Sequence, residues 1–155
     1  ERVANLSRSK PQASEVRIAV EEILQDPRRG LDNFSFNKIL QLLAKHSLHE
    51  QAVMVFEEMS VRKVNYSTFS FNVLLAICNR AGWRDKTLKV FERMPEEGIV
   101  RDTASYATAI NACDDSAQAL ALFDEMVNLG IPINLIVFNT VIKACGSSGN
   151  WKAAV

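Results

Sequence analysis

The sequence predicts an all-α protein, a solenoid of stacked helix-turn-helix repeats. The tetrapeptide FSFN occurs at residues 34–37 and again at residues 69–72, which is 35 residues later. A second pattern, Phe-x-x-Met, recurs at residues 56–59, 91–94 and 123–126. Self-similarity at this period is typical of solenoids, whose two-helix units bury their apolar faces by stacking on their neighbours.

The composition sets loose limits on function. A chain of 155 residues that is 48% hydrophobic can bury a core, and equal numbers of basic and acidic residues (18 each) argue against a strongly basic nucleic-acid clamp. Three cysteines without a signal peptide argue against a disulfide framework, and no apolar run reaches the roughly 18 residues that cross a membrane. We expect no membrane contact. The missing initiator Met, and a helical pattern that is still running at Val155, lead us to expect a piece of a longer protein.

Residues 1–32 are predicted to contain one helix, over residues 14–25, which we interpret as a degenerate repeat or a cap. Asp26 and Pro27 end this helix. Its apolar face consists of Val16, Val20, Ile23 and Leu24.

The first two repeats, residues 33–67 and 68–102, each contain two stretches of helical apolar periodicity. The predicted core of repeat one is Phe36, Ile39, Leu40, Leu43, Ala52, Val55, Phe56 and Met59. The predicted core of repeat two is Phe71, Leu74, Leu75, Cys78, Thr87, Val90, Phe91 and Met94. Gly82 separates the two helices of repeat two. In repeat one, a capping-box pattern, Ser47-x-x-Glu50, predicts that the second helix starts at Ser47.

Repeat three, residues 103–134, is three residues shorter than the first two, and we assign the deletion to its turn. Its predicted core is Tyr106, Ile110, Cys113, Ala119, Leu122, Phe123 and Met126. Repeat four, residues 135–155, is truncated and has Phe138 at a core position. The cysteines Cys78, Cys113 and Cys145 occur once per repeat, which predicts buried small side chains rather than a metal site, and we expect no cofactor.

The stretches FNVLLAICNRAGWRDKTLKVFERMPEEGIVRD and FNTVIKACGSSGNWKAA resemble pentatricopeptide repeats. That family's pattern has an aromatic-Asn start, a small residue and Cys before Gly, Phe-x-x-Met, and a terminal Gly-x-x-x-Asp. The resemblance implies a right-handed solenoid in which each repeat reads one base of single-stranded RNA. It also implies a chloroplast or mitochondrial location. In the family, the fifth and last residues of a repeat read the base, and the second wedges between bases.

The resemblance assigns these roles residue by residue. The implied base readers are Asn37 and Ser67 in repeat one, Asn72 and Asp102 in repeat two, Asn134 in repeat three and Asn139 in repeat four. The implied wedges are Phe34, Phe69 and Ile136, and the residues expected to face phosphate are Lys45 and Arg80. By the family's pairing rules, Asn with Asp reads uracil, and Asn with Ser reads pyrimidines, cytosine first.

Helix geometry is consistent with these roles. At roughly 100° per residue, Phe34 and Asn37 share one face, whereas Phe36 points away from it, towards the core. Other roles stay open for the same positions. Phe34 and Phe69 could pack between repeats, and Ser67 and Asp102 could cap the following helix. Asn37 and Asn72 could hydrogen-bond neighbouring backbone near the start of a helix. The serine of the tetrapeptide gives no prediction.

Repeat three departs from the pattern. It has Ala104 and Ala107 at the wedge and reader positions, Asp115 at the position of Lys45 and Arg80, and a net charge of −4. We predict that it reads RNA poorly and contacts a protein partner instead. The alternative function is therefore a structural interaction module of a large organellar assembly, such as an organelle ribosome. The sequence contains no catalytic constellation, so we predict no enzyme within it; a catalytic domain outside these residues stays open.

Overall fold

The computed structural model describes residues 12–26 and 30–147, and within them every regular element is a helix. The eight helices of these residues are α1 (Ala13–Gln25), α2 (Asn33–Lys45), α3 (His49–Val61), α4 (Thr68–Arg80), α5 (Arg84–Glu96), α6 (Thr103–Ala112), α7 (Ser116–Asn128) and α8 (Leu135–Ser147). The all-α prediction is confirmed. Pro27 and residues 148–155 of repeat four lie outside the described residues. None of the helices has the length and apolar character needed to span a membrane.

The chain divides into two compact units, residues 1–77 and 78–155, and α4 runs from the first into the second. In the first unit, α2 packs against both α1 and α3. In the second unit, α6 packs against α5, α7 and α8, and α7 also contacts α8. Each unit is therefore built from helices that are neighbours or near-neighbours in sequence, as helical hairpins are.

The core of the first unit is the apolar face that the sequence predicts. All eight core residues predicted for repeat one have a relative exposure of 0%. The ring of Tyr66 stacks on Phe56 with centroids 4.5 Å apart, and Phe71 meets Phe56 edge-on at 5.0 Å. Aromatic pairs of this geometry add stabilisation beyond that of the buried area. The start of α4 is thus fixed to the preceding hairpin by three rings.

The core of the second unit follows the prediction less completely. Tyr106 is fully buried, whereas Leu122 and Phe123 are half-buried. Phe138, predicted to lie in the core, is 50% exposed, because the buried face of α8 among the described residues is formed by Val137, Val141 and Cys145 instead. The prediction of buried, unpaired cysteines is confirmed for Cys78, Cys113 and Cys145. Burial, followed by the nearby carboxylates, raises the pKa of the Cys113 thiol to about 11.

The turn of repeat one differs from the prediction, because α3 begins at His49 and not at Ser47. Ser47 has a φ of 55°, a left-handed conformation that Gly82 also adopts in repeat two, with a φ of 74°. The N–H of Leu48 donates to the carbonyl of Leu43 at 3.0 Å, which is a hydrogen bond of the Schellman motif. Ser47 therefore ends α2 instead of capping α3.

The deletion in repeat three also lies elsewhere than predicted. Helix α6 has 10 residues, whereas α2 and α4 each have 13. The turns after these helices, residues 46–48, 81–83 and 113–115, have equal lengths. The three missing residues therefore shorten the helix by almost one turn.

Candidate nucleic-acid interface

The second residue of each repeat lies on the surface, where a base could stack. Phe34 is 68% exposed and Phe69 is 45% exposed, while Phe36 and Phe71, two residues further on, are fully buried. Ile136, the predicted wedge of repeat four, is exposed as well. The prediction that the two rings of each FSFN point in different directions is confirmed. An exposed aromatic ring offers a π-face on which any base can stack.

Asn37 lies one turn beyond Phe34 and is held in place by a relay of side-chain amides. Its Nδ2 donates to Oδ1 of Asn33 at 2.6 Å. The Nδ2 of Asn33 in turn donates to the backbone carbonyl of Asn65, on the loop that follows α3. Oδ1 of Asn37 is shielded from solvent and accepts no hydrogen bond within the described residues. Sequence reasoning did not find Asn33, because the relay joins residues 32 apart in the chain.

The equivalent amides in the other repeats have different surroundings. Asn72 is half-buried on α4, and its Oδ1 is likewise shielded from solvent. Asn139, on α8, is exposed. In repeat three the position is the half-buried Ala107. Repeats one and two therefore enclose their amides, whereas repeat four leaves its amide open.

The last residue of each repeat caps the helix that follows. The side-chain oxygens of Ser67, Asp102 and Asn134 accept hydrogen bonds from the backbone N–H three residues on, at 3.1, 2.9 and 3.0 Å respectively. Asp32, at the end of the N-terminal segment, caps α2 in the same way. The capping role that the sequence left open for Ser67 and Asp102 is thus present. It fixes where these side chains lie and leaves their base-reading role a prediction.

The serine at the third position of the repeat, for which no role was predicted, completes the caps of repeats two and three. Ser70 and Ser105 are fully buried, and their hydroxyls accept from the backbone N–H of Ser67 and Asp102, both at 2.8 Å. Each hydroxyl also donates to the carbonyl of the same capping residue. This reciprocal arrangement is that of a capping box with serine at its third helical position. The spacing Ser-x-x-Ser and Asp-x-x-Ser was the sequence signal that could have revealed it.

The residues that precede the caps Ser67 and Asp102 anchor the chain next to them. The hydroxyl of Tyr66, which precedes Ser67, donates to the carbonyl of Phe56 at 3.4 Å. Arg101, which precedes Asp102, lies with its guanidinium 4.0 Å from the ring centroid of Phe91. Its Nε donates to the carbonyl of Phe91 at 3.2 Å. An aromatic or cationic side chain thus covers the equivalent phenylalanine in both repeats.

The predicted phosphate contacts lie at the ends of first helices. Lys45 is the last residue of α2 and Arg80 the last residue of α4, and both are exposed. The sequence predicts Asp115 at the equivalent position in repeat three, and this prediction is wrong. It caps α7 by accepting from the N–H of Gln118 at 2.7 Å, because α6 ends at Ala112.

A family model described as "Pentatricopeptide repeat-containing protein" matches residues 35–155 of the chain. The chain belongs to the pentatricopeptide-repeat family. A comparison with curated protein sequences gave no significant match.

Solved pentatricopeptide-repeat structures share the fold. PPR10 in complex with an 18-nt psaJ RNA element matches with a TM-score of 0.76 and 25% identity, over 98% of this chain and 23% of that one. PPR10 from maize matches with a TM-score of 0.64 and 23% identity, over 94% and 21% of the two chains. The PPR domain of Arabidopsis thaliana protein-only RNase P 1, in complex with tRNA, matches with a TM-score of 0.78 and 15% identity, over 99% of this chain and 83% of that one. The chain therefore spans 23% of the length of PPR10.

The third pentatricopeptide repeat keeps the fold and changes the candidate interface. Tyr106 is buried as its counterparts are, and its hydroxyl donates to Oε1 of Glu125 at 2.8 Å. Burial, and then this hydrogen bond, raise the pKa of Tyr106. Asp114 forms an ion pair with Arg84. Two of the four carboxylates of this repeat, those of Asp114 and Glu125, are therefore paired within the chain.

A row of polar side chains, missed by sequence reasoning, crosses this part of the second unit. Nδ2 of Asn111 donates to Oδ1 of Asn79 at 3.0 Å, and Nζ of Lys143 approaches Oδ1 of Asn111 at 3.5 Å. Seven residues beyond Ala104, Asn111 lies on the same face of α6. The equal spacing of 32 residues between the three members was the available signal.

Proposed function

We propose that this pentatricopeptide-repeat segment binds single-stranded RNA, one base per repeat, and prefers pyrimidines at repeats one and two. The observation that carries the proposal is that neighbouring side chains of α2 face different surroundings. Phe36 is buried in the core, Phe34 is exposed, and Asn37 lies one turn beyond it. The ring can stack on a base while the amide, which has both donors and an acceptor, pairs with the edge of that base.

Repeat two supports the proposal with the same arrangement. Phe69 is exposed, Phe71 is buried and Asn72 follows one turn later. Asp102 stands at the N-cap of the next helix, in the place of Ser67 in repeat one. The structures of PPR10 with an 18-nt RNA and of the RNase P 1 domain with tRNA add support from the family.

Lys45 and Arg80 supply the electrostatic part of the proposed binding. Each is exposed at the end of a first helix, where it can meet a phosphate. For single strands, each neutralised phosphate contributes about 0.7 to the salt dependence of the binding constant. Two contacts therefore predict a slope of about −1.4 in a plot of log K against log salt concentration.

Fluorescence anisotropy with short single-stranded RNAs tests this function. We expect pyrimidine-rich RNA to bind more tightly than purine-rich RNA of equal length, and a duplex of the same sequence to bind more weakly still. Lys45→Ala should weaken binding to all sequences by a similar factor and make the salt slope shallower. Equal or undetectable binding to all RNAs at low salt, by folded protein, contradicts the proposal.

We further propose that the protein works in a chloroplast or mitochondrion, where imaging of a fluorescent fusion of the full protein would locate it. The alternative function, a scaffold in an organellar assembly, is favoured by one observation. Repeat three contains four acidic residues and no Lys or Arg. In that case Asn72→Ala leaves the protein's function intact, whereas Asp124→Lys, at an exposed acidic side chain of α7, releases a partner in a pull-down.

A further inference from the structure

The amide relay determines which atom of Asn37 remains available to a ligand. The backbone oxygen of Asn65 can only accept a hydrogen bond, so the Asn33 atom that contacts it is the amide nitrogen. The oxygen of the same amide faces Asn37 and can also only accept. Asn37 therefore contributes its nitrogen to the 2.6 Å hydrogen bond, and its Oδ1 is the atom outside the relay.

That oxygen can only accept a hydrogen bond. It is shielded from solvent and accepts no hydrogen bond from the part of the chain that the structure describes. A shielded acceptor without a partner destabilises a protein by more than a typical hydrogen bond stabilises it. Such atoms are rare in folded proteins, and each one calls for a physical explanation. A base that reaches Oδ1 restores the missing hydrogen bond if it carries an N–H group.

We infer that Asn33 is a positioning residue for RNA recognition in repeat one: it orients Asn37 to accept a hydrogen bond from a pyrimidine N–H group. This inference rests on the proposed RNA-binding function. Cytosine offers its exocyclic amino group, and uracil offers its ring N3–H. The first residues of repeats two, three and four are Thr68, Thr103 and Leu135. An asparagine at both the first and the fifth position therefore occurs in repeat one and in no other repeat.

Nucleotide analogues that lack the donor test the inference directly. Short single-stranded RNAs carry pyrimidin-2-one riboside in place of one cytidine, or 3-methyluridine in place of one uridine, at each position in turn. We expect the full wild-type protein to bind the analogue about tenfold more weakly at the position that faces repeat one. The measured quantity is the ratio of the dissociation constant for the analogue RNA to that for the unmodified RNA. Asn33→Leu frees the side-chain amide of Asn37 to rotate by half a turn, so this ratio should fall to about threefold or less at the position that faces repeat one.

Asn33→Asp is the matched control. An aspartate keeps an acceptor facing Nδ2 of Asn37, so this variant should retain the tenfold ratio even if its stability falls. Thermal unfolding of each variant verifies that the compared proteins are folded. A purely structural role of Asn33 would change the stability without changing the ratio.

The possible outcomes separate this inference from the proposed function. A tenfold ratio that persists in Asn33→Leu overturns the inference and leaves RNA binding intact. The inference is also overturned, with RNA binding intact, if the wild-type protein binds RNA and does not distinguish the analogues. It is overturned likewise if the ratio in Asn33→Asp falls as far as it does in Asn33→Leu. Wild-type protein that binds no single-stranded RNA overturns both.

Discussion

Repeats one and three bury the same aromatic position of their first helix and present different surfaces. Both begin with a helix whose fourth residue is a buried aromatic ring, Phe36 in one and Tyr106 in the other. On the exposed face, repeat one carries Phe34 and Asn37, whereas repeat three carries Ala104 and Ala107. The core and cap positions thus specify the hairpin, and the remaining positions on the face are free to differ.

The difference in helix length reinforces this contrast. Helix α2 extends to Lys45 and presents that cation at its end, whereas α6 ends three residues earlier and is followed by acidic residues. Asp115 then serves as a cap and Asp114 as the partner of Arg84. In repeat three, acidic side chains therefore make contacts within the chain in the region where repeat one carries Lys45, the cation that we propose meets a phosphate.

The largest expected effect separates the two phenylalanines of one FSFN. Phe36→Ala removes a fully buried ring and should lower the free energy of unfolding by about 3–5 kcal/mol. Phe34→Ala removes an exposed ring, so it should change stability by less than about 0.5 kcal/mol. Chemical denaturation followed by circular dichroism measures both. A similar loss of stability in the two variants would contradict the division between core and surface.

Transplanting the face of repeat one onto repeat three is expected to have the next largest effect. The double variant Ala104→Phe/Ala107→Asn adds a stacking ring and an amide at positions that are exposed and half-buried. We expect RNA affinity to rise by about three- to tenfold, because one stacked base contributes about 1–3 kcal/mol and repeat three contains no Lys or Arg of its own. RNA titration measures the gain, and Asp124→Ala serves as the control. If a folded double variant gains no RNA affinity, the residues at positions 104 and 107 are not sufficient to explain why repeat three binds RNA poorly.

The turns of repeats one and two provide a smaller test. Gly82→Ala places a side chain at a φ of 74° and should destabilise the protein by about 1 kcal/mol, although a Cβ there meets no atom within 4 Å. Ser47→Gly makes the opposite change at a φ of 55° and should raise the melting temperature slightly. Thermal unfolding of both variants gives the comparison. A stabilising Gly82→Ala would contradict the helix-ending role of these residues.

The smallest expected effect is the pH dependence of a helix cap. Hydrogen bonds from the hydroxyl and the backbone N–H of Ser35 lower the pKa of Asp32 below its ordinary value of 3.8. A lowered folded-state pKa means that the carboxylate stabilises the fold above the unfolded-state pKa, and that this stabilisation is lost as the pH falls through the folded-state value. Asp32→Ala should therefore melt below the wild type at pH 7, with a smaller difference near pH 2.

Asp124→Ala is the control for this prediction, because Asp124 lies exposed beyond the first turn of α7. Its melting temperature should follow that of the wild type at both pH values. A difference between Asp32→Ala and wild type that does not change between pH 7 and pH 2 would show that the charge of Asp32 contributes nothing to the cap.

Periodicity predicted the core because burial at Phe36 or Leu40 depends on spacing along one helix. The location of the three-residue deletion in repeat three could not be predicted. A count of residues does not say whether the helix or the turn after it is shorter. The exposure of Phe138 depends on what packs against α8, which spacing does not report. The Asn33 relay escaped prediction because a loop carbonyl far along the chain decides how the amide of Asn37 is oriented.

Photo-crosslinking of single-stranded RNA tests the central claim most directly. Pyrimidine-rich RNA that contains 4-thiouridine is crosslinked to the full protein, and the modified peptides are identified by mass spectrometry. We predict crosslinks at Phe34 and Phe69, and few or none at Ala104 or its neighbours on α6. Crosslinks that fall mainly on repeat three, or that Phe34→Ala and Phe69→Ala leave unchanged, would contradict the assignment of RNA reading to repeats one and two.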